Sequence, residues 1–91
     1  MAIDGIRIII SGYVQGVGFR YFTCREAKKI GLTGYVKNLP TGQVEIVASG
    51  DKGLIDDLIK IIRVGPGYSS VSGVDLEELQ DPQNFTDFNI R

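Results

Sequence analysis

Apolar residues recur at every second position in Ile6, Ile8 and Ile10, with Arg7, Ile9 and Ser11 between them. A period of two predicts a strand, and the extra apolar Ile9 marks it as largely buried. From Arg20 to Ile30 the spacing lengthens. Phe19, Phe22, Ala27 and Ile30 share one face of a helix that Gly31 stops. Alternation returns over Thr33 to Leu39 and again over Gln43 to Ser49, where Val44, Ile46 and Ala48 share a face. Leu39-Pro40-Thr41-Gly42 between them has turn chemistry, so these two strands are expected to form an antiparallel hairpin.

The strongest helical pattern comes next. Leu54, Ile55, Leu58, Ile61 and Ile62 fall on one stripe, with Asp51 as N-cap and Gly65-Pro66-Gly67 as the stop. Ser70 to Leu79 predicts a fourth strand, bulged at Gly73, because Val71 and Val74 break the alternation. Asp81-Pro82-Gln83-Asn84 predicts a turn, and Phe85 to Arg91 a short last strand with Phe88 and Ile90 on one face. The order β-α-β-β-α-β implies an α+β, ferredoxin-like sandwich. An antiparallel sheet carries two helices on one face, with a short C-terminal strand appended. That fold hosts many functions, so function has to come from a site.

The chain has 91 residues and a formal net charge of -1, sufficient for one small core and without a global pull toward nucleic acid. No apolar run approaches the length that spans a bilayer, and the first residues lack the pattern of a secretory signal, so a cytoplasmic location is expected. There is no histidine and only one cysteine, Cys24. Those counts exclude a Ser-His or Cys-His nucleophile and the usual zinc ligand sets. Proton handling would fall to a carboxylate, to water or to the substrate.

The candidate chemistry sits in Gly12-Tyr13-Val14-Gln15-Gly16-Val17-Gly18-Phe19-Arg20, between the first strand and the first helix. Its glycines permit positive φ, a helix N-terminus attracts anions, and arginine offers a planar fork of donors. Two nucleotide motifs fail here. Tyr21 stands at the third glycine of a dinucleotide fingerprint, and Phe19-Arg20 stands where a P-loop needs Lys-Ser/Thr. What survives is a nest sized for one phosphate; the plain alternative is a glycine turn whose arginine pairs with a surface carboxylate. Asn38 is a second candidate, because asparagine is disfavoured in strands. It could hold a water beside a bound phosphate, or simply prepare the turn at Pro40. Tyr13 and Tyr21 read as packing or rim residues and Cys24 as a half-buried apolar residue. Glu45, Lys37, Asp56 and Asp57 read as solvated faces, and Asp75, Glu77 and Glu78 as an acidic strand edge.

Gly12-x-Val14-Gln15-Gly16-Val17-Gly18-Phe19-Arg20 resembles the first motif of the acylphosphatases. Gly34-Tyr35-Val36-Lys37-Asn38 followed by Gly42-x-Val44-Glu45 resembles the second, and Gly65-Pro66 and Phe88-x-Ile90-Arg91 also look like that family. The resemblance implies a single acylphosphatase-like domain over residues 1–91. It implies hydrolysis of the carboxyl–phosphate bond of small-molecule acyl phosphates to carboxylate and inorganic phosphate, with no metal and no cofactor. It puts Arg20 on the phosphate-binding arginine and Asn38 on the asparagine that positions the attacking water. Gln15, Gly16, Val17, Gly18 and Phe19 fall on the loop whose amides hold the phosphate. Ser11 departs from a frequent histidine and Ser69 from a small alanine. A monomer with no nucleic-acid or membrane partner is expected. The alternative function is a non-catalytic phosphate- or metabolite-binding module on the same fold.

Overall fold

The computed structural model describes residues 4–80 and 85–91; the turn expected at Asp81–Asn84 lies outside them. The elements are β1 (Asp4–Tyr13), α1 (Phe19–Ile30), β2 (Thr33–Asn38), β3 (Val44–Gly50), α2 (Lys52–Val64), β4 (Ser70–Glu78) and β5 (Phe88–Ile90). They form one five-stranded sheet in the order β4-β1-β3-β2-β5. Four strands are antiparallel to their neighbours, while β5 runs parallel to β2, so the sheet is mixed.

The core lies between the sheet and the helices. Ile6, Ile8 and Ile10 of β1 and Val44, Ile46 and Ala48 of β3 meet Phe19 and Ala27 of α1 and Ile55, Leu58 and Ile62 of α2. Ile8, Ile10, Val36, Ile46, Leu58 and Phe88 are fully enclosed. Each such aliphatic or aromatic side chain contributes about 1.5–3 kcal/mol on leaving water. Asp51 caps α2 as expected, accepting from the Gly53 amide at 2.8 Å. On α2 the fully buried stripe is Ile55, Leu58, Ile59 and Ile62; Ile59 was not expected there, Leu54 packs against the core partly buried, and Ile61 is half-buried. On α1 it is Phe19, Thr23 and Ala27. Thr23 is an unexpected member, and its hydroxyl is buried without a hydrogen-bond partner among the described residues.

Three further expectations need correction. The bulge in β4 is at Ser72, one residue from Gly73: Ser11 pairs with Gly73 and Gly12 with Val71, leaving Ser72 unopposed. The C-terminal strand is three residues, and Phe88 and Ile90 do not share burial. Phe88 is enclosed by α1 and the sheet, whereas Ile90 lies where the sheet runs out and is exposed. Glu45 is not a solvated residue. Its carboxylate is buried on the sheet face away from the helices, accepting from Arg7 Nε at 2.7 Å and Tyr35 Oη at 3.0 Å, with Lys37 Nζ at 3.7 Å.

Candidate active site

β1 and β2 both run antiparallel to β3, so their C-terminal ends emerge at the same end of the sheet. One end carries the loop from Val14 to Gly18, the other Asn38, the last residue of β2. The loop is pinned at both sides by apolar anchors: Val14 and Phe19 are buried in the core. Between them Gly16 and Gly18 adopt φ of 75° and 78°. A Cβ at either position would meet nothing within 4 Å, so glycine serves the left-handed backbone there rather than a close approach.

Gly18 is the N-cap of α1, and it offers no side-chain hydrogen bond to the first turn; no acidic residue sits in that turn either. The first amides of a helix lack internal partners and carry the positive end of its dipole. Arg20 follows in the first turn and is exposed. Among the described residues the ion pairs engage Arg7, Arg25, Lys28, Lys29 and Lys37, and none engages Arg20. The reading of Arg20 as the partner of a surface carboxylate therefore has no support.

A pocket of about 160 Å³ opens at this end. Gly16, Gly18, Phe19 and Arg20 form one side, Val14 and Tyr21 its margins, and Asn38 and Ile90 close it from β2 and β5. Two candidates far apart in sequence, Arg20 and Asn38, thus share one cavity. The Asn38 Oδ1 is buried and has no hydrogen-bond partner among the described residues, so it makes no bond to the turn at Pro40. A buried acceptor left open costs free energy unless something occupies it. Gln15 and Val17 are not among the walls. The Val17 side chain packs against the core, and the Gln15 side chain donates to Leu39 O at 2.9 Å and Gln43 O at 2.8 Å. Any contact of these two with an anion would come from the main chain. Tyr13 and Tyr21 are both exposed, and of the two only Tyr21 lines the pocket, at its rim. The Cys24 thiol is half-buried and donates to Phe88 O at 3.4 Å.

Both departures from the family pattern have partners. Ser11 Oγ accepts from Gln43 Nε2 at 2.9 Å, and Ser69 Oγ donates to Pro66 O at 2.7 Å, tightening the turn after α2. A larger cleft of about 560 Å³ lies at the opposite end of β1, between Ile6, Ile55, Ile59 and Leu76, with Lys52 and Glu78 at its mouth. Asp4, Asp56 and Gln80 also line it, and none of the residues from Gly12 to Arg20 or Asn38 does.

A family model described as Acylphosphatase matches residues 6–90. The chain belongs to the acylphosphatase family. It is 47% identical over 85 residues to an acylphosphatase of Chlorobaculum tepidum, covering 93% of this chain and 92% of that one. The crystal structure of acylphosphatase from Bacillus subtilis superposes with a TM-score of 0.94 at 38% identity, covering 97% of this chain and 98% of that one. Full-length HypF in its phosphate- and nucleotide-bound form contains a similar unit, with a TM-score of 0.92 and 33% identity. That match covers 99% of this chain but 12% of HypF. The chain is accordingly an enzyme of the acylphosphatase class, and hydrolysis of acyl phosphates is its activity. No helix among the described residues is long and apolar enough to cross a membrane.

Proposed function

We propose that the pocket between the Gly12–Arg20 loop and Asn38 is where the acyl phosphate is hydrolysed, with Arg20 and the loop amides of Gln15 to Phe19 on the phosphoryl oxygens and Asn38 on the water. The observation that carries the reading is the shared pocket. Among the described residues it joins a cation without a carboxylate partner, an uncapped helix start and a buried amide oxygen without a partner.

The carboxyl–phosphate bond is already activated, so catalysis reduces largely to positioning and neutralising charge. Arg20 supplies a fork of donors, and the helix start supplies oriented N–H groups. They act most strongly as charge redistributes over the phosphoryl oxygens in the transition state. Asn38 Oδ1 accepts a hydrogen bond from the water and orients its oxygen toward phosphorus. The water oxygen bonds to phosphorus as the bond to the acyl oxygen breaks. The carboxylate leaves with the electron pair, and a phosphoryl oxygen takes the proton. No side-chain base is required, in keeping with a chain that has no histidine. Tyr21 and Ile90 form the apolar margin along which the acyl group would leave. We further read the chain as one domain acting as a cytoplasmic monomer on a small molecule, without nucleic acid.

Titration with inorganic phosphate separates the two roles. Arg20→Ala is expected to abolish detectable phosphate binding, while Asn38→Ala keeps it. Unchanged phosphate affinity in Arg20→Ala would remove the anion site from this loop.

A further inference from the structure

Among the described residues no hydrogen bond holds the Asn38 side-chain oxygen, which leaves the turn that follows it to place the residue. That turn is narrow. Leu39 N donates to Gln43 O at 2.8 Å and Gly42 N to Leu39 O at 3.1 Å. The same two carbonyls, Leu39 O and Gln43 O, also accept from the one amide nitrogen of Gln15. Gln15 lies in the phosphate loop, 24 and 28 positions away in sequence from its two acceptors. A second tie runs the opposite way: Gln43 Nε2 reaches back to Ser11 Oγ on β1, and Gln43 Oε1 accepts from Thr41 Oγ1 at 2.9 Å.

We propose that Gln15 and Gln43 are positioning residues, two amide side chains that clasp the turn after Asn38 to the Gly12–Arg20 loop, through Gln15, and to Ser11 of β1 just before it, through Gln43, and so hold Arg20 and Asn38 in register. The inference rests on the roles given above to Arg20 and Asn38. β1 and β2 are not neighbours, because β3 lies between them, so no ladder hydrogen bond sets that distance directly. The clasp does. Gln15 donates both of its N–H bonds to carbonyls that already serve the turn, one of them on the residue next to Asn38. An amide is suited to this clasp because Nε2 has two donors, whereas a glutamate in its place would set a carboxylate against two carbonyls. Substitution of the side chain leaves the loop amide of Gln15 intact, so the effect of the clasp is separable from phosphate binding by the main chain.

The test is a double-mutant cycle read in steady-state hydrolysis of a small acyl phosphate, with phosphate affinity and thermal melting measured alongside. Gln15→Ala and Gln15→Glu are each expected to lower kcat about 10- to 100-fold, the scale of a small misplacement of a reacting group. Phosphate affinity should stay within about twofold, the limit of ordinary additivity. In an Asn38→Ala background the same substitutions should cost less than about twofold more, because the group they position is gone. Wild-type kcat in the single variants, or the full penalty repeated in the Asn38→Ala background, would overturn the inference. If Gln15 variants fail to fold, the cycle is run with Gln43→Ala, which removes the tie to Ser11 together with the bond from Thr41 within the turn. A loss of about two- to fivefold that vanishes in Asn38→Ala supports the clasp, and no loss or full additivity rejects it. An Asn38→Ala enzyme with wild-type kcat would instead reject the role of Asn38 itself.

Discussion

Arg7 Nε donates to Glu45 Oε2 at 2.7 Å, joining β1 to β3 across the sheet face that no helix covers. Burial alone would push the Glu45 carboxyl up. The hydrogen bonds from Arg7 and Tyr35, with the charges of Arg7 and Lys37, outweigh it and hold the carboxyl below its ordinary value of 4.5. The Tyr35 phenol moves the other way, raised above 10.0 by burial and by its bond to the Glu45 carboxylate.

A depressed carboxyl stabilises the fold fully above the unfolded-state value and loses that contribution as pH falls through the folded-state value. Stability should therefore hold down to about pH 5 and then decline as Glu45 protonates below 4.5. Glu45→Gln should lower stability at neutral pH by about 1–3 kcal/mol, toward the lower end because Arg7 is partly exposed. It should also flatten the decline in acid. Urea midpoints between pH 3 and 7 measure both effects; parallel curves for the two proteins would show that Glu45 contributes nothing to the pH dependence.

Two glycines with positive φ should respond differently to alanine. Gly34, at φ 143°, leaves no room: a Cβ there would run into the Val47 carbonyl in the adjacent strand. Gly18, at φ 78°, faces open space, so its alanine bears only the left-handed strain of about 1–2 kcal/mol. Gly18→Ala should fold with a lowered melting temperature, whereas Gly34→Ala should disrupt the pairing of β2 with β3. Equal melting temperatures for the two variants would contradict this.

Thr23 is enclosed in the core with a hydroxyl that lacks a partner. Valine has nearly the same shape and no polar atom to desolvate. Thr23→Val is expected to stabilise the protein by about 1 kcal/mol, since an unpartnered buried polar group costs about that much or more. Calorimetry checks the sign; a loss of stability would mean that the hydroxyl is bonded, for example to a buried water.

Much of this architecture was legible in the sequence because its signals are local. The alternation of Ile6, Ile8 and Ile10, the stripe on α2 and the Asp51 cap each depend on residues within one or two turns. The glycine loop ending at Arg20 was legible for the same reason. Long-range partnership was not. Glu45 read as solvated because nothing nearby in sequence shows that Arg7, 38 positions away, closes over it. Ile90 alternates with Phe88 as a core residue would, but the sheet ends there and leaves it at the pocket margin. The side chain of Gln15 bonds residues beyond the next strand, which no spacing rule reveals. The bulge was expected one residue away because the broken alternation between Val71 and Val74 fits an extra residue at either Ser72 or Gly73.

The division of labour in the pocket is tested most directly by phosphate release from a small acyl phosphate in the presence of a chelator. Wild type should turn over undiminished. Arg20→Ala should lose at least about 10²–10³ in kcat/KM, the cost of one preorganised donor with affinity lost besides. Asn38→Ala should lower kcat more than it raises KM. Turnover that stops with chelator, or either variant retaining wild-type kcat/KM, would contradict the assignment of phosphate to Arg20 and water to Asn38.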